Sequence, residues 1–397
     1  MNINMDIQQK FLLLFPILMG LLVSVPGQTR AATLIVDADN TCTLTDAITA
    51  ANDDVATGGC SAGVSGADII ILKTDVSLTD ALPTITTSIT LEGSGYTIDG
   101  NNIVENVLHI TATGNLILNE TTVTGGNAVG LSGPDDSSGS GGGIYNEGII
   151  KLNSCTISHN SAKADGGGID NSGTLSLNNS TISNNSAAYG GGLNNSLLGN
   201  AIVNSTTISD NSSTVDGGGI GNNGILTLNN STISHNSADT KGGGIDIWKN
   251  ESTVTLKNSI VSGNTAVGNG CEIYLEEGII NADNYNLFGH SGQTDGEAFY
   301  QFTPGSRDIT ATSDGTLPTA LANILETTLA NNGGPTKTHA LVPGSPAIDL
   351  DTACNTGLST DQRGARRPVE KGCDAGAFEF SNGKAFLQAI YFLLLKD

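Results

Sequence analysis

Aromatic and charged residues are scarce in this chain, and their scarcity limits the folds it can adopt. Of its 397 residues, 4% are aromatic and 14% are charged, whereas glycine alone accounts for 52. So few large rings cannot fill a thick globular core. The 38% of hydrophobic residues must therefore be spread thinly, as in a protein of stacked repeats.

Basic residues are also few, since 16 lysines and arginines face 39 aspartates and glutamates and give a formal charge of −23. A surface of this sign repels phosphate backbones, so nucleic acid is not expected as a partner. The six cysteines include no C-x-x-C pair, which argues against a zinc site. No metal site and no cofactor are predicted; calcium at acidic turns stays open as an alternative, without a D-x-D-x-D-G loop to support it.

Two sequence signatures repeat together along the middle of the chain. A glycine triplet followed by Ile or Leu occurs five times, and a T-I-S or related motif follows in the same register. The aliphatic residues of the first signature, spaced by 25, 24, 27 and 25 positions, are Ile144, Ile169, Leu193, Ile220 and Ile245. Helical repeats need 33 or more residues, and short runs of alternating polarity are typical of strands. The pattern predicts an all-β fold, a right-handed parallel β-helix of about nine coils over residues 67–290.

Polar residues recur once per coil, which indicates stacking rather than catalysis. We call a set of residues that occupy one position in successive coils a file. One file can form an asparagine ladder through side-chain hydrogen bonds: Asn160, Asn185, Asn211, Asn236 and Asn264. A second ladder is expected at Asn146, Asn171, Asn195 and Asn222. The T-I-S motif predicts an outward hydroxyl file, Thr156, Thr181, Thr207 and Thr232, that stacking explains without a ligand.

The two ends of the chain differ from the repeats. Residues 1–32 have the apolar stretch and small residues of a signal peptide, and residues 33–66 form an N-terminal cap. Within that cap, the apolar positions from Cys42 to Asn52 are typical of a short amphipathic helix. Residues 291–380 form a C-terminal cap, and 381–397 are a short apolar tail that cannot span a bilayer as a helix. Disulfides Cys42–Cys60 and Cys354–Cys373 are expected, because an exported chain permits them and both pairs lie outside the repeats.

Three stretches carry a resemblance to a known group of exported bacterial proteins. The segment C-T-L-T-D-A from Cys42 resembles the Cys-Ser-Leu-Arg-Glu-Ala motif, with Thr45 and Asp46 in place of its Arg and Glu. The repeats resemble those of polymorphic outer membrane proteins, within the pectin-lyase-like superfamily. The segments from Asn332 to Asp349, Asp361 to Pro368 and Cys373 to Phe380 resemble the choice-of-anchor Q domain. The resemblance implies a secreted or cell-surface protein of the bacterial envelope.

The residues themselves favour a binding or scaffold function over an enzyme. Asp165 and Asp216 share one repeat position, but Tyr189 lies between them and Lys241 follows. A lyase or glycosidase needs clustered carboxylates, so a polysaccharide-active enzyme remains the alternative. We predict a non-catalytic, adhesin-like monomer without a membrane span in its mature chain. Glycans are its expected partners, with candidate contacts at Trp248, Tyr189, Asp165 and Asp216.

Overall fold

Three parallel sheets run side by side along the chain and together form a β-solenoid of about nine coils, as the repeats predict. The structure is a computed structural model that describes residues 31–39, 41–129, 139–282 and 284–382. The predicted signal peptide, apart from residues 31 and 32, and the apolar tail from residue 383 onward lie outside the described residues.

Most coils contribute one short strand to the first sheet, two to the second and one to the third. The first sheet has ten strands: Thr33–Val36, Ala67–Leu72, Ser88–Glu92, Asn115–Asn119, Ile149–Asn153, Thr174–Asn178, Asn200–Asn204, Ile225–Asn229, Thr253–Lys257 and Ile279–Asn281. The second has fifteen: Val76–Ser77, Thr97–Val104, Thr122–Ala128, Thr156–Ser158, Ser161–Ala162, Thr181–Ser183, Ser186–Tyr189, Thr207–Ser209, Ser212–Asp216, Thr232–Ser234, Ser237–Ala238, Ile260–Val261, Thr265–Ala266, Leu287–Phe288 and Ile309–Thr310. The third has eight: Leu108–Ile110, Ile144–Asn146, Ile169–Asn171, Leu193–Asn195, Ile220–Asn222, Ile245–Ile247, Ile273–Leu275 and Phe299–Tyr300.

The core is a thin column of aliphatic side chains inside the coils. The residue after each glycine triplet points inward, and Ile169 pairs in register with Ile144 and Leu193. The alternating strands of the first sheet do the same, so that Leu175 and Leu177 are buried while Thr174 is exposed. One or two apolar side chains per strand fill the interior, which explains how so few aromatic residues suffice.

The solenoid extends beyond the bounds that the repeats predict. Thr33–Val36 already belongs to the first sheet, and Ile309–Thr310 still belongs to the second. Neither strand carries a repeat signature, so the sequence pattern alone cannot find them. Helix α1, Leu44–Asp53, packs on the first strands with Leu44, Ala47, Ile48 and Ala51 buried, as its apolar spacing predicts. A short second helix, α2 (Asp295–Ala298), and a 3-10 turn, Leu321–Asn323, follow the last coils.

The buried asparagine file forms a continuous hydrogen-bonded ladder. Asn211 donates from both its backbone N–H and its side-chain Nδ2 to Oδ1 of Asn236, at 3.1 and 2.9 Å. The same pair of bonds joins the other neighbours in the file. In the second file, Nδ2 of Asn146, Asn171 and Asn195 each donates to the next asparagine. These amides satisfy polar groups that the turns would otherwise bury without a partner.

Both expected disulfides form, between Cys42 and Cys60 and between Cys354 and Cys373. The first joins the start of α1 to the loop that follows it, and the second lies in the C-terminal region. Cys155 is buried in the solenoid, where its backbone N–H donates to Oγ of Ser180. It therefore occupies the position that small hydroxyl residues hold in the following coils.

The C-terminal region lies along the side of the solenoid as well as near its end. We call residues 320–382 the strap. Its apolar side chains form a second core with the last coils, made of Ile260, Leu287, Ala311, Ile324, Leu325, Leu341, Ala347 and Ala375. Buried charge pairs stiffen it: Arg363 contacts Asp361 at 2.6 Å, and Arg367 contacts Glu379 at 3.0 Å. Both ion pairs join residues of the strap to each other.

The strap covers the hydroxyl file that the T-I-S motif places outside. Oγ1 of Thr181 donates to the Lys337 carbonyl at 2.7 Å, and Oγ1 of Thr207 donates to Oε1 of Gln362 at 2.7 Å. Further along, the backbone N–H of Ala377 donates to Oγ1 of Thr232 at 3.0 Å. All three threonines are at most 2% exposed. The file faces outward, as the T-I-S motif predicts, but these rungs are shielded from solvent because the C-terminal chain binds to them.

Candidate functional site

Two files of outward side chains border the glycine triplets. The first file is the residue just before each triplet, where Asp165, Tyr189, Asp216 and Lys241 follow one another in register. The second is the residue after the inward Ile or Leu, which must face outward because side chains alternate along a strand. Its members, in order of stacking, are Tyr145, Asp170, Asn194, Gly221, Asp246, Tyr274 and Tyr300.

Five aromatic side chains lie along these files or beside them. Tyr189 stacks on Trp248 with ring centroids 5.5 Å apart and planes 15° apart. Tyr274 stacks on Tyr300 at 4.4 Å and 3°. Together with Tyr145 these residues form what we call the aromatic face, which holds four of the seven tyrosines and the one tryptophan of the chain. In a protein so poor in aromatics, this concentration on one side distinguishes that side from the rest of the surface.

Gly221 occupies the middle of the second file and keeps it narrow. A Cβ at this position would lie 3.2 Å from Oδ1 of Asn194, tighter than ordinary contact. The coils that carry Tyr189 and Trp248 lie on either side of the coil that carries Gly221. A side chain at position 221 would therefore press on Asn194 and on the backbone of Gly190, the residue that follows Tyr189.

Carboxylates lie among these rings. We call Asp165, Asp170, Asp216, Asp246 and Glu276 the carboxylate cluster; it has two parts, Asp165 with Asp170, and Asp216 and Glu276 with Asp246. Burial raises the pKa of Asp170 to about 7, opposed by hydrogen bonds from Asn194 and Ser196 and assisted by the charge of Asp165. Burial likewise raises the pKa of Asp165. Carboxyl groups whose pKa is raised toward 7 are typical of functional sites, where burial disfavours the charged form.

Asp246 is the most deeply placed member of the cluster, at 2% exposed. Burial first, and then the nearby charge of Asp216, raises the pKa of Asp246 to about 8, with Lys241 acting in the opposite direction. Its Oδ1 is buried and has no hydrogen-bond partner among the described residues. Oδ1 of Asp216, by contrast, accepts a hydrogen bond from Oγ1 of Thr240.

Lys241 is the cation within the cluster. Its Nζ lies 2.7 Å from Oε2 of Glu276 and 4.5 Å from the centroid of the Tyr274 ring. Burial lowers the pKa of Lys241, but the hydrogen bond to Glu276 and the charge of Asp216 outweigh it and raise the pKa above its usual value. The lysine therefore stays charged between an acid and an aromatic face, an arrangement that favours cations.

The structure brings together all four residues that the sequence singles out. Asp165, Tyr189 and Asp216 lie in one file, and Trp248 reaches that file by stacking on Tyr189. When the coils are compared at a single repeat position of the sequence, residues that are not acidic separate the carboxylates. In the folded chain the carboxylates pair between files, Asp165 with Asp170 and Asp216 with Asp246. Asp170 and Asp246 follow the glycine triplets as G-G-G-I-D, a signal that could have revealed them.

Tyr274, Tyr300 and Glu276 are site residues that the sequence does not predict. They lie in coils whose sequences have lost the glycine triplet, so register could not be read from the repeats. The G-C-E-I-Y segment aligns with G-G-G-I-D only once Ile273 is known to pair with Ile245.

A second, hydroxyl-lined groove lies where the strap stops covering the solenoid. A cavity of about 280 Å³ opens between the strap segment 331–337 and the strands of the T-I-S file. Thr122, Thr156, Ser158 and Ser183 contribute hydroxyls to its lining. Thr156 is only partly buried there, unlike the threonines under the strap.

The parts of the chain that the structure describes contain neither a membrane-spanning helix nor a group of residues suited to a metal ion. No helix there is long and apolar enough to cross a membrane. In the same residues, no group of three or more His, Cys, Asp or Glu side chains is arranged to hold a metal ion.

Comparison with known proteins finds little that is similar to this chain. No protein-family model matches it, and no curated protein does either. Among solved structures, it is similar to the crystal structure of pectate lyase Pel9A, with a TM-score of 0.36 and 13% sequence identity over 79% of this chain and 88% of that one. The three sheets of this chain themselves show the β-solenoid fold.

Proposed function

We propose that this protein is a non-catalytic, adhesin-like β-solenoid that binds glycans along its aromatic face at the surface of a bacterial cell. The observation that carries the proposal is the pair of ring stacks, Tyr189 on Trp248 and Tyr274 on Tyr300, on one side of the solenoid. Aromatic side chains combine an apolar face with polar edges, which suits sugar rings that are apolar on one face and hydroxylated at the rim.

The polar groups around the rings support the same function. Glu276 is exposed, and Asp165 is only partly buried, so both carboxylates can accept hydrogen bonds from sugar hydroxyls. Binding sites usually combine apolar contact area with a few fixed polar groups of this kind. The face runs over successive coils and so fits an extended polymer better than a small molecule.

A glycan-binding screen on the full chain tests the proposal. Trp248→Ala removes one half of a ring stack and is expected to weaken binding of a retained glycan roughly tenfold or more. Val55→Ala is the matched control, because Val55 is an exposed apolar residue (58%) that follows α1 in the N-terminal cap. Failure of every glycan to bind, or equal losses in the two variants, would contradict the proposal.

An enzyme acting on polysaccharides is the second candidate, favoured by one observation. Asp246, with its pKa raised to about 8, is protonated at neutral pH, as a general acid must be. At 2% exposure, however, its carboxyl reaches a glycosidic oxygen only if a neighbouring side chain moves aside. Release of reducing or unsaturated sugars from the retained polysaccharide, lost in Asp246→Asn, would establish the enzyme instead.

The proposal includes the location of the protein, which is exported from the cytoplasm. The signal peptide predicted for residues 1–32 and the two disulfides support export to an oxidising compartment. Fractionation of cells that express the whole chain should recover it outside the cytoplasm with both disulfides formed. Recovery in the cytoplasm with reduced cysteines would contradict this part of the proposal.

A further inference from the structure

The side chain of Lys241 lies in surroundings that suit an ammonium group. Its Nζ is held by Oε2 of Glu276 and lies over the ring of Tyr274, which is itself stacked on Tyr300. Carboxylates beside an aromatic face are how proteins hold organic cations. Here the chain fills this site with its own lysine.

The site has more acceptor capacity than Lys241 uses. The charge of Asp216 raises the pKa of both Lys241 and Asp246, and Oδ1 of Asp246 is buried without a hydrogen-bond partner among the described residues. A buried carboxylate oxygen that lacks a donor is unfavourable and rare in folded proteins. The oxygen therefore marks a position where a donor from outside the chain can bind.

We propose that Asp216, Asp246, Glu276, Tyr274 and Tyr300 form an ammonium site that binds the primary amine of an amino sugar, displacing the side chain of Lys241. This inference rests on the proposed function and names the class of glycan, a polymer that contains deacetylated hexosamine. The amine would donate to Oδ1 of Asp246 and to Glu276, while its sugar ring lies against the aromatic face.

The exposure of the present ion pair makes the displacement feasible. The side chain of Lys241 is 28% exposed and that of Glu276 is 47% exposed. Pairs this open to solvent contribute little, because water screens them and both side chains are flexible. Lys241 can therefore move into solvent at low cost and leave its place to a ligand that also satisfies Asp246.

Charge argues against acidic glycans at the same place. Three acidic side chains and one lysine line the ammonium site, with Asp246 neutral at pH 7, and the whole chain has a formal charge of −23. A uronate or sulfated polymer would be repelled, whereas a polycationic glycan is attracted at long range.

Calorimetry with three oligosaccharides of equal length tests the inference on the full chain. The probes are a glucosamine oligomer, its N-acetylated form and an oligogalacturonate, at a mildly acidic pH where the amine is charged. The glucosamine oligomer is expected to bind about tenfold or more tightly than the N-acetylated one. Its advantage should shrink at high salt, because the attraction is electrostatic.

Two substitutions should act in opposite directions. Lys241→Met removes the internal competitor and is expected to tighten binding of the glucosamine oligomer severalfold. Asp246→Asn should weaken it about tenfold, and the exposed Glu276→Gln gives a second variant whose folding is not at risk. Asp239→Asn removes one negative charge at an exposed position and is the charge-matched control.

The outcomes separate the inference from the function on which it rests. If the N-acetylated oligomer or an uncharged glycan binds as well as the amine, or if Lys241→Met has no effect, the ammonium site is refuted while glycan binding stands. If nothing on a wider glycan panel binds, the proposed function fails and the inference fails with it.

Discussion

Glu272 ends the asparagine ladder by taking the place that a further asparagine would hold against Asn264. Its Oε2 accepts hydrogen bonds from the side-chain Nδ2 of Asn264 at 2.6 Å and from the backbone N–H at 3.3 Å. Its Oε1 accepts from the backbone N–H of Gly263 at 2.8 Å. Asn264 therefore donates the same pair of hydrogen bonds as the other asparagines of the file, but its acceptor is the carboxyl group of Glu272.

We expect Glu272→Ala to destabilise the protein by about 3 kcal/mol, because it leaves three buried donors without an acceptor. Urea unfolding followed by circular dichroism measures the loss. Glu277→Ala is the control, since Glu277 is an exposed glutamate of the same segment and should change stability little. A loss in Glu272→Ala no larger than in the control would show that the ladder does not need a terminal acceptor.

The third glycine of each triplet leaves room for the ladder. A Cβ on Gly219 would lie 2.7 Å from the carbonyl oxygen of Gly244 and 3.0 Å from the side chain of Asn236. Gly219→Ala should therefore lower the free energy of unfolding by roughly 2 kcal/mol through this overlap. Gly296→Ala is the matched control, because a Cβ there would have nothing within 4 Å and α2 favours alanine. Equal stability of the two variants would contradict the steric explanation.

Stability is expected to fall as the pH rises from about 6.5 to 8.5. Burial raises the folded-state pKa of Asp170, Glu272 and Asp374 to about 7 and that of Asp246 to about 8. Such groups stabilise the fold fully below their unfolded pKa values, and the contribution disappears as the pH rises through the folded values. His339 acts oppositely, since burial lowers its pKa to about 4, but its contribution is lost only as the pH falls below about 6.5.

Thermal unfolding across this window measures the effect, and a fall of roughly 5 °C is expected. Asp246→Asn should make the dependence shallower, because one of the four titrating carboxyls is gone. Asp239→Asn, at an exposed position, should leave the slope unchanged. A midpoint that stays constant or rises with pH would refute the assignment of neutral buried carboxyls.

Gln362 attaches the strap to the solenoid. Its Nε2 donates to Oγ1 of Thr181 and to the Lys337 carbonyl, both at 2.9 Å, and its Oε1 accepts from Oγ1 of Thr207. We expect Gln362→Ala to cost about 2 kcal/mol and to increase amide hydrogen exchange in the segment around Thr336. Lys371→Ala, at an exposed strap position, is the control. Unchanged exchange at Thr336 would mean that other contacts alone hold the strap.

The sequence predicts the solenoid well because each coil repeats the same local constraints. The glycine triplet fixes the turn, the residue after it must point inward, and an asparagine recurs where the ladder needs one, so the repeat pattern alone assigns these positions. The strap could not be placed in this way. Its contacts with Thr181, Thr207 and Thr232 join residues more than a hundred positions apart and leave no periodic trace.

The candidate site is predicted only in part for a related reason. Departures from the repeat reveal Tyr189, Trp248, Asp165 and Asp216 in the sequence. Whether these residues form a site depends on which residues of neighbouring files lie beside them. The pairing of Asp216 with Asp246 joins different positions of successive coils. Repeat alignment compares equal positions, so it cannot reveal a contact between unequal ones.

The strap also determines where the array can change in length during evolution. Its attachment points, from Asn179 to Asn258, lie on successive coils and match groups of the strap at a fixed spacing. A coil duplicated between them would move one attachment away from its partner by about 4.8 Å. A coil duplicated on the N-terminal side lengthens the rod and leaves that match intact. Relatives of this chain should therefore differ in coil number ahead of the strap and keep a constant count beneath it.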